Sequence, residues 1–318
     1  MAALRSGINV LDAAINYRHQ RSERNLGTAL KKLTDSKELQ RDEVVVCTKA
    51  GYLSFDGDMP ADPHAYFRET YMDTGILDPK DVVGMNCMAP GYLADQLERC
   101  HKNLGLETID VFYLHNPESH LTPGVSRNEY LAKLRPSFQM LEEAVLSGKI
   151  SYYGAATWNG FRLPPDAPGA MNILDLVGMA RELAGEDHHF RFIQLPFNLA
   201  MREGWELKNQ SAGEKNYSVF EVAERVGVTV VGSATLYQGS LTAKLPEPLK
   251  KILGMASDAA SAIQFARSAP GITTSLIGMS KKHHVEENLK VAAHKPVSRE
   301  VWEGLLIETK KELTAQGI

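Results

Sequence analysis

The chain has 318 residues, a formal net charge of −4 at pH 7 and a sequence pI near 6.2. Hydrophobic residues make up 43% and charged residues 23%, which is ordinary for a globular protein, and the length suits one large barrel or two modest domains. The slightly acidic balance argues against nucleic acid or a membrane surface as the main partner. We therefore expect a small-molecule substrate, while a homo-oligomer stays open.

The cysteine pattern favours a reducing compartment. Three cysteines, at positions 47, 87 and 100, have no CxxC spacing and cannot form an even disulfide framework. No apolar run is long enough to span a bilayer, and the N-terminus lacks the extended apolar core of a secretory signal. The sequence therefore predicts a cytoplasmic protein with no zinc or other metal site.

The first chemically interesting stretch is a strand, a turn and a helix. Residues 8–11 form a short apolar run that ends in Asp12, and the turn that follows presents Tyr17. Ser22 is predicted to cap a helix that begins near Glu23.

Six further apolar runs read as strands, with helical patterns between them. The predicted strands after the first cover residues 43–48, 109–114, 149–155, 190–195, 228–232 and 273–278. The later predicted helices cover residues 92–104, 131–146, 173–183, 219–226, 259–269, 285–293 and 299–313. Residues 51–90 are an irregular stretch with a weak helical pattern near residues 66–72, and we interpret them as a long loop insertion.

This alternation predicts an α/β fold with parallel strands. A barrel is favoured over a doubly wound sheet because polar side chains follow several consecutive strands and no glycine-rich nucleotide loop follows the first strand. We predict a single (β/α)8 TIM-type barrel domain over residues 1–318, incomplete because only seven strands are recognisable.

Four side chains should meet at one mouth of this barrel. Three consecutive strands end in Asp12 (with Tyr17 just beyond), Lys49 and His115. A lysine ammonium favours the phenolate of a nearby tyrosine, a carboxylate keeps that lysine charged, and a histidine can orient a carbonyl substrate. Such a group is a general acid for a carbonyl oxygen that becomes an alkoxide. Because no side chain can supply hydride, a nicotinamide cofactor is implied.

With these residues the chain resembles the aldo-keto reductase superfamily over nearly its whole length. The resemblance rests on the run Asp-Ala-Ala-x-x-Tyr at residues 12–17, Ser-Glu at 22–23, Leu-Gly at 26–27, Thr-Lys at 48–49 and Asp-x-x-Tyr-Leu-His at 110–115. It implies a (β/α)8 barrel, Tyr17 as proton donor, His115 as a carbonyl-binding group, and Asp12 and Lys49 as residues that tune the tyrosine.

The resemblance also implies where a cofactor would bind. The family's Ser-Asn pair corresponds to Ala156 and Thr157 here, with Asn159 close by, and the tyrosine that often stacks on the nicotinamide corresponds to Ser233. The full set of implied cofactor residues is Thr157, Asn159, Gln194, Ser233, Gly278, Ser280, Lys281, His284, Glu287 and Asn288. The basic residues Lys281 and His284 point to NADPH over NADH, and Trp158 is a candidate wall of the substrate pocket.

The family's first strand has no counterpart in the chain. Its absence would leave the edges of the first and last visible strands unpaired. A truncated or mis-assigned start, a second chain that fills the gap, and an open barrel all remain explanations, and we expect the first.

Two other functions stay open. The chain could be a non-catalytic nicotinamide-nucleotide-binding protein with a regulatory or redox-sensing role, which Ala156, Ser233 and the missing strand motivate. It could also be a Schiff-base lyase with Lys49 as nucleophile. The leading prediction is an NADPH-dependent reductase of aldehydes or ketones.

Overall fold

The computed structural model describes residues 1–306 and is built around one parallel sheet of seven strands. In chain order these are β1 (Val10–Asp12), β2 (Val45–Ala50), β3 (Ile109–His115), β4 (Ile150–Ala156), β5 (Phe190–Pro196), β6 (Thr229–Ser233) and β7 (Ile272–Ser275). Each strand pairs in parallel with the next one along the chain. The predicted TIM-type barrel, incomplete with seven strands, is confirmed.

The strand register brings the carboxyl ends of the strands to one level. Lys49 on β2 lies opposite Tyr113 on β3, and His115 at the end of β3 lies opposite Ala156, which in turn lies opposite Gln194 on β5. Strands covered on both faces carry continuous apolar runs, as β2 and β3 do, because helices pack outside and side chains fill the interior.

The barrel is open on one side. Within residues 1–306, β1 pairs only with β2 and β7 only with β6, so no strand pairing joins β1 to β7. Unpaired strand edges were expected at this position. Residues from both edges line one cavity, Asn9 and Val10 at β1 and Thr274 and Ser275 on β7.

Helices surround the sheet. Their bounds are Ala2–Arg5, Arg21–Asp35, Pro63–Phe67, Pro90–Leu104, Arg127–Leu146, Ile173–Ala184, Glu203–Glu206, Val219–Arg225, Glu247–Leu253, Asp258–Arg267 and Lys282–Ala292. Residues 299–306 are also helical, and the rest of the predicted helix 299–313 lies outside the described residues. No helix in this part of the chain is long and apolar enough to cross a lipid bilayer.

The long insertion has a structure of its own. It contains helix Pro63–Phe67, a π-helical turn at Arg68–Met72 and a short antiparallel hairpin at residues 82–87. Six of its side chains form a separate apolar cluster with Tyr92 of helix Pro90–Leu104, and these six are Leu53, Phe55, Phe67, Tyr71, Leu77 and Cys87. The weak helical pattern near residues 66–72 is therefore real.

The predicted Ser22 cap is wrong. The helix begins at Arg21, and the residue before it, Gln20, has a left-handed backbone with φ of 69° and makes no side-chain cap. Arg18 and His19 are left-handed as well, so three consecutive residues form a tight turn. Bonds from the insertion hold this turn, because the Gly57 N–H donates to the His19 carbonyl at 2.9 Å and Gln20 Nε2 donates to the Phe55 carbonyl at 3.0 Å. These contacts outweigh the local capping preference of serine.

Candidate functional site

A cavity of about 1080 Å³ lies at the carboxyl ends of the strands. Its volume is at the upper end for ligand pockets, so it has room for more than a small carbonyl compound. The predicted site residues that line it are Asp12, Tyr17, His115, Thr157, Trp158, Gln194, Ser233, Gly278, Ser280, His284, Glu287 and Asn288.

Three predicted site residues do not form the wall. Lys49 is fully buried beside it. Asn159 turns its backbone N–H to Glu118 at 3.0 Å, and Lys281 is the N-cap residue of helix Lys282–Ala292. The basic stretch therefore reaches the cavity through His284 and its neighbour His283.

Lys49 and Asp12 form a buried ion pair at the centre of the site. Lys49 Nζ lies 2.5 Å from Oδ2 of Asp12 and also donates to the Ala13 carbonyl at 2.7 Å. Gln194 Nε2 donates to the other Asp12 oxygen at 2.9 Å, so both carboxylate oxygens are engaged. Burial by itself would lower the pKa of Lys49, but attraction to Asp12 and Tyr17 outweighs it and raises that pKa. The lysine thus stays a cation.

Tyr17 and His115 stand next to this cation. Lys49 Nζ is 4.9 Å from the Tyr17 ring centroid, and the Tyr17 and His115 rings meet edge to face with centroids 5.8 Å apart. Tyr17 is 39% exposed, which leaves its side chain reachable from the cavity. A second tyrosine, Tyr52, also packs edge to face on His115, with ring centroids 5.0 Å apart.

His115 is held neutral. Burial, with a smaller effect from the Lys49 charge, lowers the pKa of His115 to about 3. Its Nδ1 atom is buried and has no hydrogen-bond partner among the described residues. A neutral imidazole in this position can hydrogen-bond a polar ligand without adding a second positive charge.

Thr157 presents an unsatisfied hydroxyl. Its side chain is only 4% exposed, its Oγ1 has no partner within residues 1–306, and it lines the cavity. A buried polar atom without a partner calls for an explanation, and a ligand with an amide group would supply one. Ala156, which precedes Thr157, offers no such group.

The other end of the cavity is the start of a helix. Gly278 and Ser280 line it just before helix Lys282–Ala292, whose first N–H groups and partial positive charge suit a phosphate. Glu287 accepts a hydrogen bond from Ser257 Oγ at 2.8 Å. This contact fixes Glu287 at the wall.

Sequence reasoning missed Glu118. This carboxylate lies in the 3-10 turn Pro117–His120 after β3, and its Oε1 accepts N–H groups from the loop that carries Thr157 and Trp158. The sequence feature that could have identified Glu118 as a candidate site residue is its place three positions after His115, at the end of a predicted strand. Residues 1–306 show no group of three or more His, Cys, Asp or Glu side chains that could hold a metal ion.

Comparisons with known proteins agree on one family. The family model described as "Aldo/keto reductase family" matches residues 1–305. The curated relative "Aldo-keto reductase AMT2" of Alternaria alternata is 27% identical over 159 residues, which are 49% of this chain and 38% of the relative. The chain thus aligns with well under half the length of that relative.

Two solved structures share the fold. They are "aldo-keto reductase AKR11C1 from Bacillus halodurans (holo form)" and the "thermostable aldo-keto reductase Tm1743" in complex with the inhibitor epalrestat. Each has a TM-score of 0.60 and 17% identity, and each alignment covers 95% of this chain and 83% of the other. At this identity the likeness concerns the fold alone.

Proposed function

The chain belongs to the aldo/keto reductase family, and from this premise we propose that it reduces an aldehyde or ketone to an alcohol with NADPH, using Tyr17 as the general acid. The observation that carries the proposal is the meeting of a phenol, a buried ammonium, a carboxylate and a neutral imidazole at one end of the cavity. The Lys49 to Asp12 distance of 2.5 Å and the contacts of Tyr17 with Lys49 and His115 define that group.

The cavity fits a dinucleotide. Its unsatisfied Thr157 hydroxyl would bind the carboxamide, and the segment from Gly278 to Ser280 with the following helix would bind phosphate. Of the two basic residues that the family resemblance assigns to a 2′-phosphate, His284 lines this end of the cavity, which favours NADPH. When bound, the cofactor supplies the hydride that no side chain can provide.

Side chains of the protein carry out the proton transfer. The Tyr17 hydroxyl donates its proton to the carbonyl oxygen as negative charge develops there. Lys49, kept charged by Asp12, stabilises the phenolate that remains. His115 is neutral and hydrogen-bonds the carbonyl oxygen, which orients the substrate toward Tyr17.

The Schiff-base alternative is disfavoured by the state of Lys49. A nucleophilic lysine must lose its proton, yet the pKa of Lys49 is raised and its ammonium is bound to Asp12 and to a backbone carbonyl. The non-catalytic alternative requires the same nucleotide site without turnover. No contact among Asp12, Tyr17, Lys49 and His115 favours it.

A fluorescence titration with NADPH and with NADH, followed by turnover with a panel of aldehydes and ketones, tests the proposal. We expect tighter binding of NADPH and its oxidation by at least one carbonyl compound. Tight binding without turnover would favour the regulatory alternative. Absence of binding by either nucleotide would refute both.

A further inference from the structure

Glu118 is a partly buried residue whose carboxylate accepts hydrogen bonds from three consecutive backbone amides. Its Oε1 accepts N–H groups from Trp158 at 2.7 Å, Asn159 at 3.0 Å and Gly160 at 3.4 Å. Its other oxygen, Oε2, is buried and has no partner among the described residues. Burial raises the pKa of Glu118, although the three amides lower it in part. Within residues 1–306 the backbone amides, and no ion pair, are the partners of this carboxylate.

The three amides belong to the loop that shapes the substrate end of the cavity. Thr157 and Trp158 line the cavity, and the Gly160 carbonyl accepts from the Met171 N–H at 2.7 Å. Gly160 is packed so closely that an added Cβ would lie 2.7 Å from Met171 Sδ and 3.2 Å from the Glu118 Cβ. This close packing brings the loop against Glu118, and the hydrogen bonds from the carboxylate add a directional restraint on its backbone.

The same turn also fixes the end of β3. Asn116 follows His115 with a left-handed backbone, φ 51°, and its N–H donates to the Ala156 carbonyl at 2.7 Å. Glu118 then reaches across to the loop after β4. One short turn thus links the position of His115 to that of Thr157 and Trp158.

We propose that Glu118 is a positioning residue, which sets the affinity of the site for nucleotide and carbonyl substrate by fixing the 158–160 amides. The inference rests on the proposed reductase function. It assigns Glu118 no contact with the reacting atoms. Its removal should therefore weaken binding more than it slows the chemical step.

The test compares Glu118→Ala with Glu129→Ala. Glu129 is a matched control because its carboxylate also accepts a backbone N–H, that of Ser126 at 2.8 Å, but at an exposed helix start away from the cavity. Loss of the three hydrogen bonds to the 158–160 amides should raise the NADPH Kd and the carbonyl KM about tenfold in Glu118→Ala, with a much smaller change in kcat. Glu129→Ala should leave both constants unchanged.

A second variant guards against misfolding. Glu118→Gln keeps one acceptor oxygen but loses the charge, so the 158–160 amides should exchange with deuterium faster than in the unmodified protein. Partial recovery of Kd and KM in Glu118→Gln relative to Glu118→Ala would support the role.

The possible results distinguish failure of the positioning role of Glu118 from failure of the proposed reductase function. Amide exchange at residues 158–160 in Glu118→Ala equal to that of the unmodified protein, or Kd and KM in Glu118→Ala equal to those of Glu129→Ala, would overturn the positioning role. If the unmodified protein binds no NADPH, the proposed function fails. The exchange measurement still tests whether Glu118 fixes the loop.

Discussion

The Lys49 ammonium lies 2.5 Å from Oδ2 of Asp12, and the two side chains are 1% and 13% exposed. The stability of the folded protein requires both members of an ion pair that is buried this deeply. Removing one leaves the other as an uncompensated charge inside the barrel.

Lys49→Met should therefore destabilise the protein by about 3–5 kcal/mol. Asp12→Asn should also destabilise it, because the ammonium then lacks its carboxylate. The double variant should be more stable than the sum of the single losses predicts, since it buries no lone charge. Urea unfolding of the four proteins measures this coupling, and strictly additive losses would show that the pair is not coupled.

Thr157→Val should separate nucleotide binding from stability. The Thr157 hydroxyl has no partner in the described structure, so its removal should leave the free energy of unfolding unchanged or slightly raised. The NADPH Kd should rise about fivefold through loss of one hydrogen bond.

Thr48→Val is the matched control for Thr157→Val. The Thr48 hydroxyl is equally buried but donates to Glu23 Oε1. This variant should therefore be less stable while its Kd stays the same. Equal effects of the two substitutions on Kd would argue against Thr157 as a nucleotide ligand.

His115 should make the fold less stable in mild acid. Its pKa is about 3 in the folded protein, whereas an unfolded histidine has a pKa near 6.5. Between these values the unfolded state binds a proton that the folded state does not, so stability is present above the unfolded pKa and is lost as pH falls.

From about pH 7 to pH 5 this single group should cost about 2 kcal/mol. The pKa values of His120 and His188 are lowered as well, so the protein should lose more than this in total. In His115→Asn the acid-dependent loss should shrink by about 2 kcal/mol, measured by urea unfolding at the two pH values. An unchanged loss would mean that His115 is already protonated in the folded state.

The barrel and the grouping of polar side chains at its mouth were predictable because both follow from local patterns. Continuous apolar runs mark strands buried on both faces, and parallel neighbours bring their carboxyl ends together. Asp12, Lys49 and His115 could therefore be grouped before any contact was known. The structure brings them together, although their catalytic roles remain proposals.

Other features depend on contacts between distant parts of the chain. The left-handed turn at residues 18–20 donates one hydrogen bond to residue 55 and accepts one from residue 57, so the capping pattern at Ser22 predicted the wrong helix start. Glu118 binds amides about 40 positions away. Gln194, which the family resemblance assigns to the cofactor, lines the cavity and also donates its amide to Asp12. No local pattern indicates such partners.

Most of the structure of the insertion, residues 51–90, also could not be predicted from local sequence patterns. Its apolar residues are too unevenly spaced to predict the hairpin at residues 82–87. The insertion is held together by packing among aromatic rings, such as those of Phe55 and Phe67, whose centroids are 4.7 Å apart. The sequence pattern does not indicate this packing.

The central claim is that Tyr17 protonates the carbonyl oxygen, and turnover of NADPH by Tyr17→Phe beside Tyr52→Phe tests it most directly. Both phenols pack edge-on against His115, but only Tyr17 lies over the Lys49 ammonium. Loss of the general acid should lower kcat in Tyr17→Phe by about 10²–10⁴-fold with an unchanged NADPH Kd, while Tyr52→Phe changes kcat little. Equal turnover by the two variants would contradict the account.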